Sequence, residues 1–358
     1  MKRIWAMSIF AILFACPAVN LPAAQWSPAM SGLIKDANKE GKLKLLWGEG
    51  TLGGTKGAAK FEQMMNKMFG TDIKISFTPG AAMPQVGSQI AAEHAAGQSA
   101  ASDVYIGADS YLVPLIKRKI FHEVEWPKYL PGRITNQMVE GERTSLPVYS
   151  GLPGIPYNTK RVPKNEVPKS VKDMLKPFWK GKIASTPYVT SLNLLAAKEM
   201  WGKEAALDYV RQLSKQVVGL IRCNEIDRVA SGEFLGFVMD CSGSQTFDAQ
   251  AHGAPVEHVI ANDAALIRQR MLAIPKNAEH PNAAKLFTTF MLTKEAQQYL
   301  WDSDHSDMYL FPESRMGQKV RAAQKQGVKF FVPTLEWVAA NPEIDAISEE
   351  MVKIMTQK

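Results

Sequence analysis

Five short stretches of the 358-residue chain combine small residues with groups able to hold a solute: residues 48–55, 108–110, 186–191, 223–224 and 241–244. Each follows a short apolar run that reads as a strand. Glu49, Gly50 and Thr51 offer a carboxylate, backbone amides and a hydroxyl, and Ala108, Asp109 and Ser110 offer a similar set at a second position. Thr186, Tyr188, Thr190 and Ser191 stand before a helix predicted over 191–201, whose first-turn N–H groups lack partners within the helix and attract anions. Simple capping accounts for Thr190 or Ser191 equally well. Asn224 is either a cap or a ligand contact at the start of a short helix predicted over 225–230. Cys241 and Ser242 end a strand predicted over 234–241. Tyr188 and Tyr157 are the aromatic side chains expected to cover an organic portion of a solute.

Competing chemistries fail on spacing. Gly48-Glu49-Gly50-Thr51-Leu52-Gly53 fits G-x-G-x-x-G after a strand, yet a dinucleotide site also needs an acid about 20 residues on, at the end of the next strand. That strand ends here in Thr78-Pro79-Gly80. The run from Asp302 to Asp307 lacks the turn glycine of a calcium loop and reads as solvated, and Glu93-His94 lacks the second histidine of a zinc protease motif. Neither G-x-S-x-G nor a phosphate-loop G-x-x-x-x-G-K-[ST] occurs. A cysteine nucleophile requires a base within hydrogen-bond reach, and none is placed beside Cys241 by spacing. Cys223 and Cys241 are either a bridge or two buried free thiols, because the strands they end are joined by one short crossover.

The elements that would position these groups alternate. A strand over 42–47, a helix over 58–69 and a strand over 73–77 are followed by a helix over 86–96, a strand over 103–107 and a helix over 110–118. After Pro147 to Asn158 (PVYSGLPGIPYN), too rich in proline and glycine for one long element, a second block begins. It holds strands over 182–185, 217–223 and 234–241 and a helix over 203–214. A strand over 266–274 returns the chain to the first block, and the remainder is mainly helical, with helices over 282–292 and 294–301. The reading is an α/β protein of two lobes, each a mixed sheet flanked by helices, with two hinge crossings. The first lobe takes residues 26–152 and 265–358 and the second 153–264. A cleft then lies between them, with strand-end loops lining it.

Lys2 and Arg3 precede an apolar run over 4–15 that is shorter than the ~20 residues needed to span a bilayer. Residues 1–24 are therefore expected to form a signal peptide cut near Gln25, with lipid attachment at Cys16 as the second route, and the product is expected in the periplasm. The formal net charge of +7 loses Lys2 and Arg3 on processing. It is spread along the chain rather than gathered in a run, which reads as a solvated surface. No cofactor, no resident metal and no nucleic acid is expected, and the chain is expected to act as a monomer.

Ile274 to Leu300 (IPKNAEHPNAAKLFTTFMLTKEAQQYL), Phe178 to Ile183 (FWKGKI), Ser231 to Glu233, Gly253 to Val256 (GAPV) and Pro156 to Asn158 together resemble the type II periplasmic solute-binding proteins of ABC transporters, in the branch with ferric-, phosphonate- and thiamine-binding members. The resemblance implies hinge closure on a small-molecule ligand, an inner-membrane ABC permease as partner, and no enzyme activity. It also marks a departure. Iron-binding members carry adjacent tyrosines after the strand matching 234–241, and this chain has Asp240, Cys241, Ser242, Gly243 and Ser244 there, so iron held by tyrosinates is not expected. The favoured ligand is a small anion: a carboxylate, phosphonate or phosphate ester. The rivals are a cation or amine held by Glu49, Asp109 and Asp240, and a cysteine-dependent enzyme, since thiamine-degrading enzymes share this general fold.

Overall fold

The computed structural model describes residues 26–80, 82–189 and 191–357. The expected signal peptide, Cys16 and Thr190 lie outside the described residues. Among these residues no helix is long and apolar enough to cross a membrane.

The first lobe opens with α1 (Pro28–Glu40), β1 (Lys42–Gly48), α2 (Gly54–Phe69), β2 (Lys74–Gly80), α3 (Met83–Ala95), β3 (Tyr105–Gly107), α4 (Asp109–Lys117) and β4 (Ser145–Gly151). The chain then builds the second lobe from β5 (Ile155–Asn158), β6 (Ile183–Ser185), α5 (Lys203–Gln216), β7 (Val217–Leu220), α6 (Asp227–Ala230), β8 (Gly236–Phe237), α7 (Ser244–Ala251) and β9 (Val256–Val259). It returns through β10 (Arg268–Ala273), α8 (Pro281–Phe290), α9 (Lys294–Asp304), α10 (Arg315–Lys325), α11 (Leu335–Ala340) and α12 (Glu343–Thr356).

In the first lobe β1 and β2 pair in parallel, and β10 lies antiparallel between β3 and β4. Side chains join the two ladders. Lys44 N donates to Asp103 Oδ2 at 2.7 Å, Leu46 N donates to Ser102 Oγ at 3.0 Å and Trp47 Nε1 donates to the Val104 carbonyl at 2.8 Å. Buried polar groups so paired avoid the cost of an unmade bond. β1 alternates buried with less buried residues because one face, with Leu43, Leu45 and Trp47, packs into the lobe core. Phe61 of α2 sits in that core against Phe287 and Phe290 of α8 and Tyr299 of α9.

The second lobe holds a five-stranded sheet in the order β7-β6-β8-β5-β9. Its core gathers Trp179, Ile183, Leu207, Val210 and Leu213. Two of its features depart from the sequence reading. The strand expected over 234–241 hydrogen-bonds as a strand only at β8, and residues 238–241 run on as irregular chain. The helix expected over 191–201 is a five-residue 3₁₀ turn, Leu192–Ala196.

The division into lobes also differs at the C-terminus. Ile344, Ile347, Met351 and Met355 of α12 are buried in the core of the second lobe with Leu207 and Val210 of α5, while Leu335 of α11 packs with Val113 and Ile116 of α4 in the first. Residues 265–358 are therefore not wholly first-lobe, and the chain passes between lobes a third time at Asn341 and Pro342. The physical reason is the period of α12: four apolar residues at helical spacing form one stripe, and that stripe is covered against the apolar face of α5, where Leu207 and Val210 are buried with it. The other two crossings run through Leu152 to Gly154 and through Ile260 to Ile267. At the first, Leu152 N donates to the Ser242 carbonyl at 2.8 Å and Gly154 N to Asp240 Oδ1 at 2.8 Å. Gly151 has to be glycine here, since a Cβ would sit 2.6 Å from Ser242 Cβ.

Candidate ligand-binding site

The strand ends set the site. β3 and β4 run the same way beside β10, so the carboxyl ends of β3 and β4 and the amino end of β10 meet at one edge of the first lobe. Arg268 and Arg270 stand two residues apart at that end of β10, and alternate residues of a strand share a face. A cavity of about 790 Å³ opens against them. Ala108, Ser110 and Tyr111 reach it from the first lobe, Tyr188, Ser191 and Asn193 from the second, and Asp345, Ser348 and Glu349 from α12. A smaller recess of about 100 Å³ shares both arginines and adds Tyr149, Cys241, Ser242 and Asp304. Burial pushes the Tyr149 phenol up to about 12, so it serves as a neutral hydrogen-bonding group.

Arg268 is fixed by Asp109, which is buried and accepts from Arg268 Nη2 at 2.9 Å and from Ser110 N at 2.8 Å. Arg268 Nε is buried and has no hydrogen-bond partner among the described residues. The same holds for Ser191 Oγ, on a residue only 1 % exposed. A buried polar group left unpaired costs about 1–3 kcal/mol, and here two of them sit on residues that border one cavity, one from each lobe. Arg270 makes no ion pair among the described residues, and its Nη1 donates only to the Gln269 carbonyl at 3.3 Å. The arrangement is a pair of guanidinium groups, one preset and one free, facing a hydroxyl across the lobes. Such forks match carboxylate and phosphate oxygens.

The predicted residues divide accordingly. Ala108, Asp109, Ser110, Tyr188, Ser191, Cys241 and Ser242 come together around the two arginines. Glu49, Gly50 and Thr51 line neither cavity; the turn from Thr51 to Gly53 packs toward α9 instead. Asn224 is exposed in a turn outside both cavities, and Ile226, not Asn224, precedes α6. Tyr157 is not a cleft aromatic: β5 is an inner strand, so its ring is buried in the second-lobe core and its hydroxyl donates to Glu257 Oε2 at 2.7 Å. Thr186 is buried. The anion-holding helix start expected at Ser191 is absent, because Ser191 sits at a φ of 65° and leads only into the 3₁₀ turn. Ser191 borders the cavity all the same, with its hydroxyl set in the wall. Arg268 and Arg270 stand at the amino end of β10, away from the strand carboxyl ends where ligand contacts are expected. The available signal was Arg268-Gln269-Arg270, an alternating pattern at the start of a strand that follows a crossing.

Cys223 and Cys241 are joined in a disulfide with Cα atoms 5.7 Å apart. Their strands are not neighbours as the crossover argument supposed, since β6 lies between β7 and β8; both cysteines stand past the strand ends, where the chain can converge. The bridge anchors Tyr188, whose hydroxyl accepts from Cys223 N at 3.2 Å and lies 3.3 Å from Cys223 Sγ. Closing the 18-residue separation restricts the unfolded chain and is worth about 3 kcal/mol. Reduction with a phosphine should therefore lower the unfolding free energy by that order in urea titrations, and an unchanged midpoint would show that the bridge carries no stability.

A larger cavity, about 1020 Å³, opens elsewhere, beside β4 and residues 309–313. None of the strand-end loops reaches it, and its arginine, Arg133, is paired through Nη1 with Glu313 at 2.7 Å, its buried Nη2 having no partner among the described residues. It shares with the arginine cleft neither loops from the second lobe nor an unpaired buried hydroxyl, so the cleft is the better site. Its wall does hold Glu140, buried, accepting from Leu335 N at 2.7 Å and Gln269 Nε2 at 3.2 Å. Burial pushes this carboxyl up from 4.5 to about 7. The folded protein thus holds a proton that the unfolded chain releases near 4.5, so this group's contribution to stability is fully present below about 4.5 and is lost as pH rises toward 7, by about 3 kcal/mol at ~1.4 kcal/mol per unit. Glu140→Gln should flatten the fall in urea stability between pH 5 and 7, and a slope equal to that of the unaltered protein would refute the assignment.

A sequence profile described as "Bacterial extracellular solute-binding protein" matches residues 56–310. An uncharacterized protein of Haemophilus influenzae is 25% identical over 313 residues, 80% of this chain and 85% of that one. Among solved structures, the substrate-binding protein of an ABC transporter from Agrobacterium tumefaciens superposes with a TM-score of 0.69 at 15% identity, covering 89% of this chain and 96% of that one. The periplasmic binding protein AfuA from Actinobacillus pleuropneumoniae, solved with fructose-6-phosphate bound, gives 0.67 at 19% identity, covering 88% and 99%.

Proposed function

The chain belongs to the bacterial extracellular solute-binding proteins, the substrate-binding components of ABC importers, and from that premise we propose that it reversibly captures a small anionic solute between its lobes. The observation that carries this reading is the pair Arg268 and Arg270 facing the buried, unpartnered Ser191 hydroxyl. Carboxylate, phosphonate or phosphate-ester oxygens would accept from the guanidinium groups and from Ser191. Tyr111 and Tyr188, 42% and 45% exposed on opposite lobes, would meet over an organic portion as the lobes close. The family is one of transport binding proteins rather than enzymes, with a membrane permease as partner and an exported location. Release to the periplasm as a soluble monomer, without lipid at Cys16 and without nucleic acid as partner, completes the proposal.

The cation reading loses its carboxylates. Asp109 is paired with Arg268, and Asp240 accepts from Gly154 N at 2.8 Å and Gly243 N at 3.0 Å. The cysteine-enzyme reading loses its thiolate, because Cys241 is bonded to Cys223.

A thermal-shift panel separates these charge classes, since a ligand that binds only the folded state raises Tm with its concentration. Succinate, methylphosphonate and glycerol 3-phosphate are set against 1,4-diaminobutane and calcium. At least one anion should stabilise the protein while the cations do not. Ser191→Asp, which keeps a residue tolerant of positive φ but sets a carboxylate against the anion, should weaken that binding by about tenfold or more. Stabilisation by the cations alone would sink the proposal.

A further inference from the structure

We infer that the captured solute is a zwitterion, its anionic end on Arg268 and Arg270 and its cationic end on Asp345 and Glu349 of α12. This deepens the proposed anion capture and rests on it. The two acids stand one helical turn apart, so they share a face, and both line the same cavity as the arginines. Neither makes an ion pair among the described residues. The charges that act on Asp345 are those of Asp109 and Glu349, and together with burial, the larger cause, they hold its carboxyl above the usual carboxylate range. Arg268, the cation next to Asp109, is already engaged at 2.9 Å. Lys353 lies farther along the same wall, one cation beside two acids.

The cavity therefore has two poles carried by different bodies: guanidinium groups on β10 of the first lobe, carboxylates on a helix packed into the core of the second. The buried Ser191 hydroxyl, without a partner among the described residues, belongs to a residue that borders this same cavity and is left to be satisfied by a polar guest. A solute with one charge would satisfy one pole and leave the other facing it. A molecule charged at both ends would satisfy both and link the lobes.

Isothermal titration with two matched sets tests this: propylphosphonate, 3-aminopropylphosphonate and propylamine; then butyrate, 4-aminobutyrate and butylamine. The zwitterion of at least one set should bind about tenfold tighter than the alkyl anion of equal length. The Asp345→Asn/Glu349→Gln variant should bring that ratio to about one, the alkyl anion binding as well as before or tighter once two like charges leave the cavity. Both replaced residues are exposed, so folding is preserved. Equal or tighter binding of the alkyl anion, or a preference for the zwitterion that survives the double variant, overturns the inference and leaves anion capture standing. Amines that bind as well as the zwitterions overturn anion capture itself, and a panel in which nothing binds removes both.

Discussion

Arg268→Gln should weaken binding of the best anion in the panel by about 100-fold, or ~2.7 kcal/mol. The size follows from the contact: a guanidinium hydrogen bond to a carboxylate or phosphate oxygen is worth about 1.5–3 kcal/mol, and Arg268 enters the cleft already oriented by Asp109. Preorientation means little is lost in ordering the side chain when the ligand arrives. Arg268→Lys keeps the charge but not the fork, so an intermediate loss of about tenfold is expected. The glutamine variant also leaves the buried Asp109 carboxylate without its cation. Loss of a buried partner costs about 3–5 kcal/mol, and because the Arg268 side chain retains 14% exposure about 2 kcal/mol is the better figure here. The double variant Arg268→Gln/Asp109→Asn should recover that stability in a urea titration without recovering binding. Undiminished affinity in Arg268→Gln by calorimetry would remove this residue from the site and the anion reading with it.

The second large effect concerns the scaffold. Phe61 is 1% exposed and meets Phe287, Phe290 and Tyr299 edge-on at 6.1, 6.3 and 5.1 Å between ring centroids. It thereby ties residues 54–69 to residues 281–304, two stretches that lie on either side of residues 153–264 in sequence. Phe61→Ala should cost about 3–5 kcal/mol through lost burial and the cavity left behind. Since the loss falls in one lobe, calorimetric melting should show that lobe unfolding first. A denaturant midpoint within error of the unaltered protein would mean that the ring does not close the discontinuous core.

Local periodicity was enough for most of the elements that carry the site. Lys42 to Trp47, Phe61 to Met68 and Asn282 to Leu292 show their strand or helix period within a dozen residues, and the structure keeps those elements with ends moved by a few residues. Strand-end position likewise brought Asp109, Ser110, Tyr188, Ser191, Cys241 and Ser242 into view, because in an α/β sheet the carboxyl ends of parallel strands face one side. Where the period was weak the local reading failed. Residues 191–201 contain enough helix formers to suggest a helix, yet Ser191 at positive φ breaks its start and leaves a 3₁₀ turn.

What the sequence by itself determined is the class of protein, the order of its elements and the small polar loops at their ends, since each depends on neighbours within a few residues. Only the tertiary structure decided which of those loops share a cleft. It turned Tyr157 into core and Glu49 away, brought Arg268 and Arg270 to the mouth through the antiparallel course of β10, and laid the acidic face of α12 opposite them. Those outcomes depend on strand order and on which apolar stripe covers which, contacts between residues more than a hundred positions apart that no local pattern encodes.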